Sequence, residues 1–567
     1  MKRLVILGGG TAGTMVANKL RAALARHELH ITVVDRDDVH HYQPGYLFLP
    51  FGSYNTSDIV RSRHRFLDDG IDLVLTEIDR VDPTVHAVHL ADGRTLGYDY
   101  LVIATGVAPR PDATPGMQGP LWGDKVHEFY SLAGAQALTE AMRSFRGGRL
   151  VVHITEMPIK CPVAPMEFTF LADDWLRRHG IRERTEVTYV TPLDGAFTKP
   201  VASRELATAL VDRQVALETD FAVEHIDNDT CELVSFDGRR IGFDLLVTVP
   251  LNMGADYVAR SGMGDELNLV PCDQHTMASL EHPGVYVLGD AGTLQTSKAG
   301  SVAHFAADVF VHNFVDEFNG RPPTHGFDGH ANCFIESGGR KGMLLDFNYT
   351  TEPFTGTFPL PAVGPFSLLK ETRLNHLGKL AFRWIYWNLL LRGRPIPLIP
   401  TAMSLRGKRV EQDVTPAGTG MPTAVPPSSP APAPRPARPR LETTPLSTPR
   451  RPAAPAGSGL PALPTPAAPA GDARVTTALA DAPLDDQWDE ERGTEVARTL
   501  GIEMTEAHWA PIRFLRADFP ARGETATLRR TSTVGGFPIR DLFELFPGKP
   551  AKTMAAIAGL PKPKGCV

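Results

Sequence analysis

Short apolar runs alternate with helical periodicities along the first three hundred residues, the pattern of strands and helices stacked in turn. Arg3 to Leu7 reads as a buried strand, Thr14 to Ala25 as a helix and Ile31 to Val34 as a second strand. Leu150 to Ile154, Glu167 to Arg178 and Glu186 to Val190 repeat strand, helix and strand in the middle of the chain. The apolar runs Tyr98 to Gly106 and Gly284 to Gly292 predict two further strands, the second followed by a helix from about Ala299 to Phe318. Beyond residue 410 the apolar periodicity stops, and it resumes only in a short helical tract near the other end.

The loops between these elements carry the chemistry. The first strand runs into Gly8-Gly9-Gly10-Thr11-Ala12-Gly13, and the second ends in Asp35, 22 residues after Gly13. Glycines there allow a tight turn and a close approach to a pyrophosphate, the following helix offers amides, and an acid can accept ribose hydroxyls. The equivalent loop of the second unit is Pro158-Ile159-Lys160-Cys161-Pro162-Val163-Ala164-Pro165-Met166-Glu167. It has no glycine, three prolines that remove amide donors, and a cysteine six residues before a glutamate. The strand after it ends in Thr191, where a ribose-binding acid would stand. A nicotinamide site is replaced by a thiol site.

Composition adds bounds. At 567 residues, 42% hydrophobic and 22% charged, the chain holds several soluble globular domains, and a net charge of −7 argues against a nucleic-acid partner. No run reaches the roughly 20 apolar residues of a membrane-spanning helix. The opening Met1-Lys2-Arg3 leads into a needed strand, which predicts no export signal. Five cysteines, at 161, 231, 272, 333 and 566, are too few for a disulfide scaffold, and no metal site is expected. Cys231, in the apparent alternating strand Thr230 to Val234, and Cys272 are expected to be packing thiols.

Ala104-Thr105-Gly106 and Gly289-Asp290 resemble the A-T-G and G-D motifs of the two-dinucleotide-binding flavoprotein disulfide reductases. That resemblance implies FAD, with Asp290 at the ribitol and Lys298 near the flavin pyrimidine edge. Lys160-Cys161-Pro162 with Glu167, and Cys333-Phe334-Ile335-Glu336, resemble the sulfide:quinone oxidoreductases and the flavoprotein of flavocytochrome c sulfide dehydrogenase. This likeness covers roughly residues 1 to 410. It implies a Cys161–Cys333 redox pair with Cys333 nearer the flavin, Glu167 as acid/base, sulfide as donor and quinone as acceptor. Some members carry a third cysteine before the pair, and this chain has none.

Leu374 to Leu391 reads as one amphipathic helix with Leu374, Leu377, Ala381, Trp384 and Leu391 near one face. With Lys370, Lys379, Arg406, Lys408 and Arg409 as headgroup cations, residues 366–394 predict peripheral contact with the cytoplasmic face of the membrane. Residues 411–471 are a Pro/Ala-rich linker. Helical patterns follow at Glu490 to Leu500, Thr505 to Asp518, Pro538 to Phe546 and Ala551 to Ala558. Gly501 to Trp509, Glu544 to Pro547 and the Gly559 to Val567 tail closely resemble the DsrC/TusE sulfur carriers, whose penultimate cysteine bears a persulfide. Cys566 takes that place, and Ala555 stands where DsrC proper has a second cysteine.

The predicted architecture is α/β. An FAD-binding domain (1–125 and 247–325) encloses a second Rossmann-like domain (126–246), followed by a flavin-capping and membrane segment (326–410). After the linker comes a mainly helical carrier domain (472–567). The expected activity is sulfide oxidation with electrons passing to quinone and sulfur to Cys566, for delivery to an acceptor protein; a homo-oligomer is compatible. The alternatives are a type II NADH:quinone dehydrogenase, a cytochrome-linked sulfide dehydrogenase and a membrane-tethered sulfur-transfer adaptor.

Overall fold

The computed structural model describes residues 1–409, 484–485 and 487–563; the 411–471 linker and Cys566 lie outside the described residues. The first sheet is parallel, in the order Val285–Val287, Tyr100–Ile103, Lys2–Leu7, Leu29–Asp35, Ile71–Leu75. Leu4, Val5, Ile6 and Leu7 are consecutively buried, as a strand covered on both faces requires. Helices Thr11–Ala23 and Gly300–Phe318 pack together against it.

A second parallel sheet is ordered Val126–His127, Leu245–Val249, Gly148–Ile154, Thr185–Val190, Ala216–Glu218. Helix Ala164–Arg178 follows its central strand and begins three residues earlier than the periodicity predicts. Pro165 lies in the first turn, where a missing amide costs nothing, so the proline starts the helix instead of preceding it. The first-domain helix also starts early, at Thr11, inside the glycine motif.

The third sheet, in the order Ala331–Gly338, Lys341–Phe347, Gly364–Leu368, Thr355–Leu360, Lys408–Arg409, carries helix Arg373–Ile385 on one side. That helix passes into a π-turn at Tyr386–Leu390. The extra residue per turn rotates the later side chains. Leu374, Leu377 and Trp384 stay exposed, but Leu391 is fully buried, contrary to the single apolar face expected. Among the described residues no helix is long and apolar enough to cross a membrane.

Residues 490–557 form five helices, four where the periodicity puts them and one, Leu528–Thr533, that it misses. Thr527 caps that short helix by accepting from Arg530 N, a signal visible in the sequence. Ile512, Leu515, Leu542, Phe546 and Met554 make its core. Ala555, where a second carrier cysteine would stand, is buried in it.

Candidate active site

A long trough crosses the carboxyl ends of the first sheet. Its outer half is lined by Gly8, Gly10, Thr11, Asp35, Arg63 and Thr105. Its inner half is lined by Ala12, Ala104, Gly106, Gly289, Asp290, Lys298, Lys160 and Cys161. Gly8 has φ +94°, and a Cβ there would lie 2.6 Å from the Ala104 carbonyl oxygen; one on Gly13 would lie 1.9 Å from the Gly8 oxygen. A Cβ on Gly10 would meet no protein atom within 4 Å, so the space above that residue is open. No side chain caps the helices beginning at Thr11 and Gly300, so two positive helix ends open on the trough. A flavin adenine dinucleotide fits this donor set: the uncapped helix starts would suit a pyrophosphate, and Asp35 and Asp290, in the two halves of the trough, would be available to hydroxyl groups.

Asp35 is held in place from three sides. Gly9 N donates to Oδ2 at 2.7 Å, Arg36 N to Oδ1 at 2.8 Å, and the buried Arg63 guanidinium lies 3.0 Å from Oδ2. Arg63 is a site residue that no motif announced. Burial raises the Asp290 carboxyl above the ordinary carboxylate range, with Lys298 and Lys160 opposing. Lys298 Nζ donates to the Asp290 and Gly292 carbonyls, both at 2.9 Å, and braces the loop below the cavity.

The second loop is built differently. Cys161 N donates to Lys298 O at 2.7 Å, Lys160 N to Asn252 Oδ1 at 3.2 Å and Ala164 N to Cys161 O at 2.8 Å. Pro158, Pro162 and Pro165 have no amide to give. Three of its amides are thus spent inside the protein and three positions have none, which breaks up the row of donors a nucleotide phosphate needs. Cys161 has φ +46°, a left-handed conformation that costs a non-glycine residue of order 1–3 kcal/mol and is kept where the surroundings enforce it.

Cys161 and Cys333 come from different sheets and enter one core, and both are free thiols in this structure. Cys161 lines the cavity, whereas Cys333 is buried and does not. Burial in the enclosed site pushes the Cys161 thiol up to about 11, with Lys379 opposing. Burial raises Cys333 further, and the charge of Cys161 adds to it.

Beside them lies a buried ion pair. Glu167 has no exposed surface, and its Oε1 lies 2.9 Å from Lys379 Nζ and accepts from Glu336 N at 2.9 Å. Lys379 Nζ also donates to Phe334 O at 3.0 Å, next to Cys333. Burial raises the Glu167 carboxyl, partly offset by Lys379; burial is the strongest single influence on Lys379 and disfavours its charge, but Glu167, Cys161 and Glu336 together outweigh it and keep the proton on the amine. Glu336 in turn accepts from His376 Nδ1 at 2.7 Å. Burial raises its carboxyl to about 7, with the His376 bond opposing. Tyr386 closes the far wall, its hydroxyl bonded to Thr11 Oγ1 at 2.8 Å and to His40 Nε2 at 2.7 Å.

Three sequence expectations are corrected here. Lys379 and Lys408 are not headgroup cations: one is drawn inward by Glu167, the other is buried against Asp346. Cys231 is not in a strand; it sits in the turn before Glu232–Ser235 at φ +54°, with Lys125 Nζ 3.5 Å from its sulfur. Cys272 is a buried core thiol, as expected.

The profile of the pyridine nucleotide-disulphide oxidoreductases matches residues 2–306, and that of DsrC-like proteins matches residues 482–567. The mitochondrial sulfide:quinone oxidoreductase of Dictyostelium discoideum is 27% identical over 401 residues, covering 69% of this chain and 86% of that protein. The sulfurtransferase TusE of Sodalis glossinidius is 38% identical over 87 residues, covering 14% of this chain and 81% of that one. The crystal structure of the Aquifex aeolicus sulfide:quinone oxidoreductase superposes with a TM-score of 0.59 at 19% identity, covering 70% of this chain and 92% of that one. With a dinucleotide trough over one sheet and a thiol loop over the next, the chain belongs to the pyridine nucleotide-disulphide oxidoreductases, an FAD-dependent oxidoreductase that also carries a DsrC-like domain.

Proposed function

We propose that the protein oxidises sulfide at the Cys161–Cys333 pair, passes the electrons to a membrane quinone and places the sulfur on Cys566. The observation that carries this reading is the second loop, where the Lys160, Cys161 and Ala164 amides bond within the protein, three prolines have none, and a thiol stands at the cavity. In the oxidised form, hydrosulfide attacks the Cys161 sulfur of a Cys161–Cys333 disulfide. The old S–S bond breaks, a Cys161 persulfide forms and Cys333 leaves as thiolate. Access favours attack at Cys161, because Cys333 does not line the cavity. A thiolate raised as far as Cys333 leaves poorly without a counter-charge, and Lys379, paired with Glu167, supplies it. Glu167 then takes or returns the proton that accompanies sulfide or thiol. FAD, when bound, supplies the two-electron exchange between dithiol and quinone.

Helix Arg373–Ile385 supports the quinone reading. Lys379 and Phe382 line the flavin cavity, while Leu374, Leu377 and Trp384 face outward. Arg61, Arg65, Arg392 and Arg394 border the adjoining pocket beside Trp384 and Trp387. A single helix thus separates the cavity from a surface suited to lie peripherally on an anionic cytoplasmic leaflet.

Anaerobic titration tests the proposal. Sulfide should bleach the flavin, a soluble quinone should restore it, and Cys161→Ala should abolish both. Bleaching by NADH, or wild-type turnover of the alanine variant, would refute it.

A further inference from the structure

The DsrC-like domain rests on the flavoprotein through pairs of one polarity: the cations come from the carrier, the carboxylates from the body. Arg529 grips Glu156 with two bonds of 2.9 and 2.6 Å, and Arg530 lies 3.1 Å from Glu266. Lys549 meets Asp220 at 2.9 Å, Lys552 meets Asp194 at 2.5 Å, and Arg540 pairs with Glu224. Phe236 and Phe543 stack across the same boundary, with ring centroids 5.7 Å apart. Single exposed pairs add little stability, but an array of one polarity fixes orientation and partner.

Between the two parts lies a crevice. Its body wall includes Met157, Pro158, Leu294 and Lys298, and its carrier wall Thr525, Ala526 and Thr527. Lys298 also lines the flavin cavity, and its carbonyl oxygen accepts from Cys161 N. At the other side, Thr525 Oγ1 donates to Pro561 O at 2.6 Å. The carrier's last described residues therefore begin at the crevice, and the crevice backs onto the loop that holds the thiol. Cys566 follows Pro563 by three residues, a span of about 10 Å when extended.

We infer that this crevice is the port through which residues 564–567 reach the thiol loop, and that the basic face of the carrier, docked on the acidic face of the body, aims them. The inference rests on the sulfur handover proposed above. In the transfer, the Cys566 thiolate attacks the outer sulfur of the Cys161 persulfide. The Cys161 S–S bond breaks as the Cys566 S–S bond forms, Cys161 leaves as thiolate, and no electrons are gained or lost overall.

The test uses the full chain. Arg529→Glu/Arg540→Glu/Lys552→Glu should slow sulfur loading of Cys566 at least tenfold at low salt, read by mass spectrometry of the tail peptide. Sulfide:quinone turnover with sulfite as sulfur acceptor should stay unchanged. Adding Glu156→Arg/Glu224→Arg/Asp194→Lys to the same chain should restore loading. A second readout is independent of sulfide: in Cys333→Ser, mild diamide oxidation should join Cys161 to Cys566, and the three reversals should prevent it. Loading and cross-linking at undiminished rates in the reversed protein would overturn the port. A cross-link that forms in a protein that never loads sulfur would sink the handover and leave the port standing.

Discussion

The two strand–loop–helix units share one plan and opposite chemistry. In the first, Gly8 turns at φ +94°, the helix starts uncapped at Thr11, and open space lies above Gly10. In the second, a cysteine takes the left-handed position at φ +46°, and the loop amides bond to Lys298 and Asn252. The first loop leaves an uncapped helix start beside open space; the second spends its Lys160, Cys161 and Ala164 amides on the protein and presents a side chain. The difference teaches that a dinucleotide fold is a scaffold for whatever its first loop presents, and that free amides, more than topology, decide whether phosphate binds.

The comparison breaks most visibly at Gly10. A Cβ on Gly10 meets no protein atom within 4 Å, so Gly10→Val should fold with unchanged circular dichroism yet purify without flavin absorbance; a yellow variant would show that the open space is not the cofactor's. On the other loop, Cys161→Ser should keep FAD and lower sulfide-dependent quinone reduction at least about 10³-fold, the scale for removing a nucleophile. Steady-state kinetics with the flavin content measured decides it.

Lys379→Met should strand the buried Glu167 carboxylate and destabilise the protein by about 3–5 kcal/mol, checked by denaturant unfolding of the holoprotein. Glu336 sharpens the picture through pH. Its carboxyl is raised to about 7, and its Oε1 is buried without a hydrogen-bond partner. The folded state therefore binds a proton that the unfolded state has released, and wild-type stability falls as pH rises from about 4.5 to about 7. Glu336→Gln removes that loss, so its stability relative to wild type should climb across this window by up to roughly 3 kcal/mol and level off above it. A pH-independent difference would mean that Glu336 is charged throughout. Smallest of all, Pro162→Gly should give no NADH binding by calorimetry, because the Lys160, Cys161 and Ala164 amides stay occupied; micromolar NADH affinity would undo the contrast between the loops.

Local pattern carried much of this. The glycine turn, Asp35, the A-T-G and G-D strands and the proline-cysteine loop could be read because each depends on residues a few positions apart, whose spacing matches strand, turn or helix geometry. The carrier domain was legible for the same reason, except for the short helix at Leu528–Thr533. Helix starts were misplaced at Thr11 and Ala164 because glycine and proline, usually breakers, are tolerated in a first turn.

Sequence alone determined which loop is glycine-rich and which presents a thiol, since the loop's own residue types settle what is on offer. Tertiary structure decided the rest. Glu167 meets Lys379 across 212 residues, Lys408 turns inward to Asp346, and the carrier's cations face the body's carboxylates. A charged side chain in isolation is equally content in water; only packing that removes the water makes one partner necessary, and packing is set by elements distant in the chain.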